Sequence, residues 1–172
     1  MDFGILILRI LLIGAGAFWV GSAFAFFLFV QPSLKALGPE GEGTFMRDFT
    51  KVRRFPTVIL VATLITVGAG ALLYIRNAGG LELWLDSATG VGFTIGAGAA
   101  LVSFLLGPLG ILPTIKKLET IGDTLMAERR QPTPEEGATL GALQARLRTI
   151  GAVDLVFLAI AILFMSMSRY LG

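Results

Sequence analysis

The chain has 172 residues, of which 55% are hydrophobic and only 15% charged, with a mean hydropathy of +0.80. It contains no cysteine and no histidine, which excludes disulfides, thiol catalysis, histidine-based hydrolytic triads, haem held by axial histidines, and thiolate or imidazole metal sites. The sequence pI of about 9.3 reads as basic residues gathered in inner loops, not as a nucleic-acid surface.

The first predicted span runs from about residue 3 to residue 30. From Ile10 to Val30 it carries no charge. At about 1.5 Å of rise per residue, that run alone matches a hydrocarbon core roughly 30 Å thick. Only Asp2 and Arg9 precede it, so it reads as a retained membrane helix and not as a cleaved signal. Arg9 marks the outer interface with its head snorkelling to water, or else faces an internal cavity. Ala17, Gly21 and Ala25 recur every fourth position and predict a stripe that another helix approaches closely. Pro32 bends the helix without ending it, and Ser33–Leu37 continues it. Gly38-Pro39-Glu40-Gly41-Glu42-Gly43 predicts a break. Thr44–Arg54 predicts an amphipathic segment on the inner membrane surface, with Phe45, Phe49 and Val52 on its apolar face.

The second span covers about residues 55–75. Pro56 falls in its first turn, and Ala62, Thr66 and Gly70 form another small-residue stripe. Gly79-Gly80 turns the chain, and Trp84 reads as an interface anchor. The third span, about residues 88–113, contains no ionisable group and carries a third stripe at Gly92, Gly96 and Ala100. Gly107, Pro108, Gly110 and Pro113 predict a kinked or partly unwound inner end. Broken helices line binding sites in transporters and also simply bend in packed bundles, and both readings stand here.

Residues 114–148 predict a helical hairpin. Ile115, Leu118, Ile121 and Leu125 form one stripe; Leu140, Leu143, Leu147 and Ile150 form its partner. Thr133 caps the second helix, Pro134 takes its first position, and Glu135 and Glu136 favour its positive end. The fourth span, about residues 149–169, holds Asp154, the only acidic residue inside a predicted span. Three readings of Asp154 stand. It pairs with Arg53 or Arg54, with Lys116 and Lys117 as further partners; it forms a proton or cation site beside the broken third span; or it links to another subunit.

Eleven lysines and arginines flank the inner ends of the spans against three, Arg9, Arg76 and Arg169, at the outer ends. The positive-inside rule therefore expects both large loops inside and both termini outside. A weak repeat accompanies this: Pro32-Ser33-Leu34-Lys35-Ala36-Leu37 is echoed by Pro113-Thr114-Ile115-Lys116-Lys117-Leu118. The expected fold is an all-α integral membrane protein, a single domain over 1–172. It would be a four-transmembrane-helix bundle of two tandem helical hairpins inserted in the same sense, with a cytoplasmic helical hairpin between helices three and four.

Trp19-Val20-Gly21, the Pro32 exit, Arg53-Arg54-Phe55 and the closing Phe164-Met165-Ser166-Met167-Ser168-Arg169-Tyr170-Leu171 resemble small bacterial inner-membrane proteins related to the membrane domain of copper-resistance protein D. The resemblance implies a four-helix bundle in the inner membrane and a link to copper or small-solute handling. The residues themselves name no cofactor, metal or catalytic group. They lead to a non-enzymatic scaffold or accessory subunit that binds other membrane proteins, lipids or cofactors through its helix faces. Its partners would be the lipid bilayer and other membrane subunits or a second copy, with no nucleic acid. The alternative is a small-solute or ion transporter-like protein, with copper among the candidates.

Overall fold

A backbone in hydrocarbon must satisfy its own hydrogen bonds, so long charge-free runs fold as helices. The computed structural model describes residues 3–78 and 85–170, and no strand occurs among them. Five helices organise these residues: α1 (Phe3–Ala36), α2 (Gly38–Arg47), α3 (Phe55–Ala78), α4 (Ala88–Glu128) and α5 (Pro134–Met167), followed by a short 3₁₀ turn at Ser168–Tyr170. All except α2 are long and apolar enough to cross a membrane. The turn expected at Gly79-Gly80 and the Trp84 anchor lie outside the described residues.

The predicted prolines leave their mark without stopping the chain. In α1 a wide π turn spans Phe26–Val30, closed by the Gln31 N–H donating to the Phe26 carbonyl, and Pro32 follows. In α4 an equivalent turn spans Gly107–Ile111, closed by the Leu112 N–H donating to the Gly107 carbonyl, and Pro113 follows. Proline brings no N–H and its ring crowds the carbonyl four residues back, so a widened turn ahead of it lets the helix continue. The next residue repeats as well. Ser33 Oγ donates to the Phe29 carbonyl at 2.7 Å, and Thr114 Oγ1 donates to the Gly110 carbonyl at 2.7 Å. The sequence echo is therefore also an echo of backbone geometry.

Two expected boundaries change. The glycine-rich stretch after Leu37 is not a long break. Only Gly38 turns the chain, at φ +71°, and α2 then runs straight through Pro39, Gly41 and Gly43. Proline is tolerated in a first turn. Gly41 has to be small because a β-carbon there would lie 2.8 Å from the Leu37 Cβ. The helical hairpin predicted over 114–148 is also not a separate unit. Its first helix is the continuation of α4, and its second is the first half of the uninterrupted α5. Both predicted stripes, from Ile115 to Leu125 and from Leu140 to Ile150, are at least partly shielded where these helices meet.

The turn between α4 and α5 is locked locally. Arg129 ends α4 in the left-handed conformation, and the Arg130 N–H reaches back to the Leu125 carbonyl at 3.2 Å. Thr133 and Glu136 form the reciprocal capping box: Glu136 N–H donates to Thr133 Oγ1 at 3.2 Å, and Thr133 N–H to Glu136 Oε2 at 2.9 Å. The Arg130 guanidinium bridges Glu136, at 2.6 and 2.7 Å, and Glu128. This clamp holds the Glu136 carboxyl down at about 2 and raises the already high guanidinium value.

α1 packs against α3, and α4 against α5. Both pairs are antiparallel, as the contacts show. A β-carbon on Gly16 would lie 3.3 Å from the Thr66 Cγ2, and one on Gly70 3.5 Å from the Leu12 Cδ1. On the other pair, a β-carbon on Gly96 would meet Met165 Cγ at 2.7 Å and the Ala161 carbonyl at 3.2 Å. The pairs touch each other at two levels. Tyr74 and Thr94 share a 2.8 Å hydrogen bond, and the Phe27 ring lies 3.3 Å from where a Gly151 β-carbon would stand. Elsewhere the outer faces are apolar and open, as at Phe3, Ile13, Phe29, Ile75 and Leu109.

Candidate functional site

The two π turns bring both pairs of helices to one place. Between them lies a partly open cavity of about 200 Å³. α1 contributes Trp19 and the ring of Phe26; α4 contributes Phe104, Gly107 and Pro108; α5 contributes Asp154. Its roof comes from α2 and the residues after it. Phe49, in a third π turn at Asp48–Val52, stacks on Phe26 at 5.7 Å, on Phe45 at 5.4 Å and on Phe55 at 4.2 Å between ring centroids. Such ring pairs favour offset or tilted contact at these separations.

This aromatic stack corrects the surface-helix expectation for Thr44–Arg54. Phe49 turns its ring into the chain and closes the cavity, while Val52 stays 69% exposed. The polar side of the same segment is tied to α4 as well. Lys51 Nζ donates to Asp123 Oδ1 at 2.7 Å, and Arg47 Nη1 approaches the Met126 sulfur at 3.7 Å.

Asp154 is the polar point of the cavity. It is 8% exposed and shares the α4-facing side of α5 with Leu158 and Ala161. Its carboxylate accepts a hydrogen bond from Ser103 Oγ. The expected pairing with Arg53 or Arg54 is not formed. Arg53 Nε instead reaches Asp48 Oδ2 at 3.1 Å on the exposed surface, and Arg54 sits in the break before α3 at φ 50°. The reason is azimuthal: Asp154 looks toward α4, so its partner is the residue α4 offers there. Lys116 and Lys117 are exposed and outside the cavity lining. Among the described residues, no lysine or arginine lines the cavity. Of the other predicted breakers, Gly107 and Pro108 line it, while Gly110 packs under Ile150 with 3.1 Å for an added β-carbon. Pro113 lies just beyond the widened turn.

The small-residue stripes divide. Gly92 and Gly96 are buried, Ala100 is half-buried, and the contact of Gly96 with α5 makes this stripe a helix-packing face. Ala62, Thr66 and Gly70 face α1 as expected. Ala17, Gly21 and Ala25 do not pack within the chain. All three are exposed, and an added β-carbon on Gly21 would meet nothing within 4 Å. The packed face of α1 is instead the one with Leu12, Gly16 and the buried Trp19. A helix that is apolar all round offers no polar side to mark the correct azimuth.

Sequence reasoning missed Ser103, Trp19 and Phe49 as cavity residues. Ser103 had one signal: it lies four residues ahead of the Gly107 turn, as Ser22 lies four ahead of the Phe26 turn, and both hydroxyl residues line the cavity. Among the described residues, no three carboxylate, histidine or cysteine groups gather as metal ligands. Fold and site together define a class: an all-helical chain with four helices apolar enough to cross a membrane and a cavity between two helix pairs. No protein-family model matches the chain, and neither does any curated protein or solved structure.

Proposed function

We propose that the protein is a non-enzymatic, multi-pass protein of the bacterial inner membrane that receives a small solute in the cavity between its two helix pairs. The observation that carries this reading is the convergence of both widened turns, Phe26–Val30 and Gly107–Ile111, on a cavity holding a single carboxylate. Intramembrane carboxylates are costly and concentrate along solute or ion pathways. Helix interruptions at membrane depth are tolerated where they line such cavities. The eleven-to-three distribution of basic residues supports inner loops and outer termini. The matched π turns and hydroxyl bonds support two tandem hairpins inserted in the same sense. The copper link implied by the resemblance finds no thiolate or imidazole donor in this chain.

A second reading, the accessory subunit or homo-oligomer, is favoured by the open Ala17–Gly21–Ala25 face on α1. Native mass spectrometry after mild-detergent purification separates the two. A small molecule held at one per chain, and lost when Ala23 on the cavity wall is replaced by Phe, supports the solute reading. Stoichiometric protein partners without any bound small molecule overturn it in favour of the accessory role. Terminal tags reachable only from the cytosol would overturn the topology.

A further inference from the structure

We infer that the cavity is a site for an organic cation with an apolar body, a quaternary or protonated amine, held between the Asp154 carboxylate and an aromatic enclosure. The inference rests on the solute-binding reading above and names the class of solute. Four features of the cavity support it.

The first is charge. Among the described residues, Asp154 is the one ionisable group in the lining, and no lysine, arginine or second carboxylate lines the cavity with it. Ser103 supplies a single neutral hydrogen bond to one carboxylate oxygen, which orients the group and leaves its negative charge uncompensated. A carboxylate nine-tenths withdrawn from solvent, with no cationic partner among the described residues, is complementary to a cation brought from outside.

The second is the wall. Trp19, Phe26, Phe49, Phe55 and Phe104 line the space, so aromatic rings reach it from α1, α3, α4 and the roof. Ring faces carry negative quadrupole charge and attract a weakly hydrated cation, tryptophan most strongly, and quaternary ammonium groups are the usual guests of such enclosures. A bare divalent metal ion fits poorly, because Asp154 is the single carboxylate among the described lining residues and no cluster of acidic ligands gathers around it.

The third is volume. A space of about 200 Å³ exceeds what a proton relay or single bound water needs and suits a small organic molecule. The fourth is asymmetry. Both cavity serines, Ser22 and Ser103, stand at equivalent positions before their turns, yet only the second pair of helices adds a carboxylate. Charge therefore enters the lining from one helix pair alone, which fits a ligand with one charged end.

The experiment compares benzyltrimethylammonium with its neutral carbon isostere, neopentylbenzene, as ligands of the full chain in nanodiscs of anionic phosphatidylglycerol. The expected result is a preference for the cation of about tenfold or more, and its loss in Asp154→Asn. Equal binding of the two probes, or an undiminished cation preference in Asp154→Asn, overturns the cation assignment while the solute cavity stands. Binding of neither probe overturns both. If Asp154→Asn does not fold, Phe49→Ala takes its place: about threefold or greater weakening of the cation relative to the neutral probe is expected, and an unchanged ratio overturns the assignment. Adding phosphatidylcholine to the nanodisc identifies the source. Competition assigns a lipid headgroup and no competition a free amine, and both support the carboxylate–aromatic site.

Discussion

The pair α1/α3 and the pair α4/α5 carry the same backbone device and use it oppositely. In α1 the widened turn is filled with Phe26, Phe27 and Phe29; in α4 the same positions are Gly107, Pro108 and Gly110. Phe29 is 69% exposed, while Gly110 is buried under Ile150. α5 runs unbroken past the turn in α4, so small residues let the two close up. α3 begins only at Phe55, after the Arg53–Arg54 break, so aromatic rings fill the corresponding space around α1. Both turns reach the cavity, but the bulk of the residues on each and the continuity of the neighbouring helix decide whether that helix closes up on the turn or rings fill the gap.

The largest test of this contrast replaces glycine by leucine on each side. Gly96→Leu drives a side chain into the backbone of α5 and should destabilise the fold by about 3 kcal/mol. Gly21→Leu on the open stripe should change the stability of the single chain by less than about 0.5 kcal/mol. Thermal unfolding in detergent followed by size-exclusion reads both. Comparable losses would mean that Gly21 is covered by a partner.

Asp154→Asn is the next test. The amide can still accept from Ser103 Oγ, so stability should move by no more than about 1 kcal/mol. A buried ion pair broken on one side would cost roughly 3–5 kcal/mol, and a loss of that size would restore an arginine partner for Asp154.

Smaller effects come from two arginines in the left-handed conformation, Arg54 in the break before α3 and Arg129 at the end of α4, both at φ 50°. Arg54→Gly and Arg129→Gly should each raise stability by up to about 1 kcal/mol, because only glycine occupies that region freely. A stability loss at Arg54 alone would show that its side chain, unlike its backbone, holds the break before α3.

The smallest effect is a pH dependence at the turn between α4 and α5. Glu136 is depressed from 4.5 to about 2 by Arg130 and the Thr133 cap. A depressed carboxyl stabilises the fold above its unfolded value, and that stability is lost as pH falls from about 4.5 toward 2. The group lies at the surface and is partly exposed, so the shift is screened by solvent and salt. Glu136→Gln should flatten the unfolding profile in that window and lower stability slightly at neutral pH, where the carboxylate's contribution is fully present.

Much of this chain could be read without its fold. The four long apolar helices, the Thr133 capping box, the bends at Pro32 and Pro113 and the repeat that joins them depend on local sterics, local hydrogen bonds and the length of charge-free runs. Those are properties of neighbours in sequence. The choice between the faces carrying Ala17 and Gly16, the turning of Asp154 toward Ser103 and away from Arg53, and the stacking of Phe49 across the cavity depend on where a second helix lies around the axis of the first. An evenly apolar helix carries no mark of that direction, so tertiary packing alone decided them. The cavity exists only because two distant turns, one aromatic and one glycine-rich, meet at the same depth.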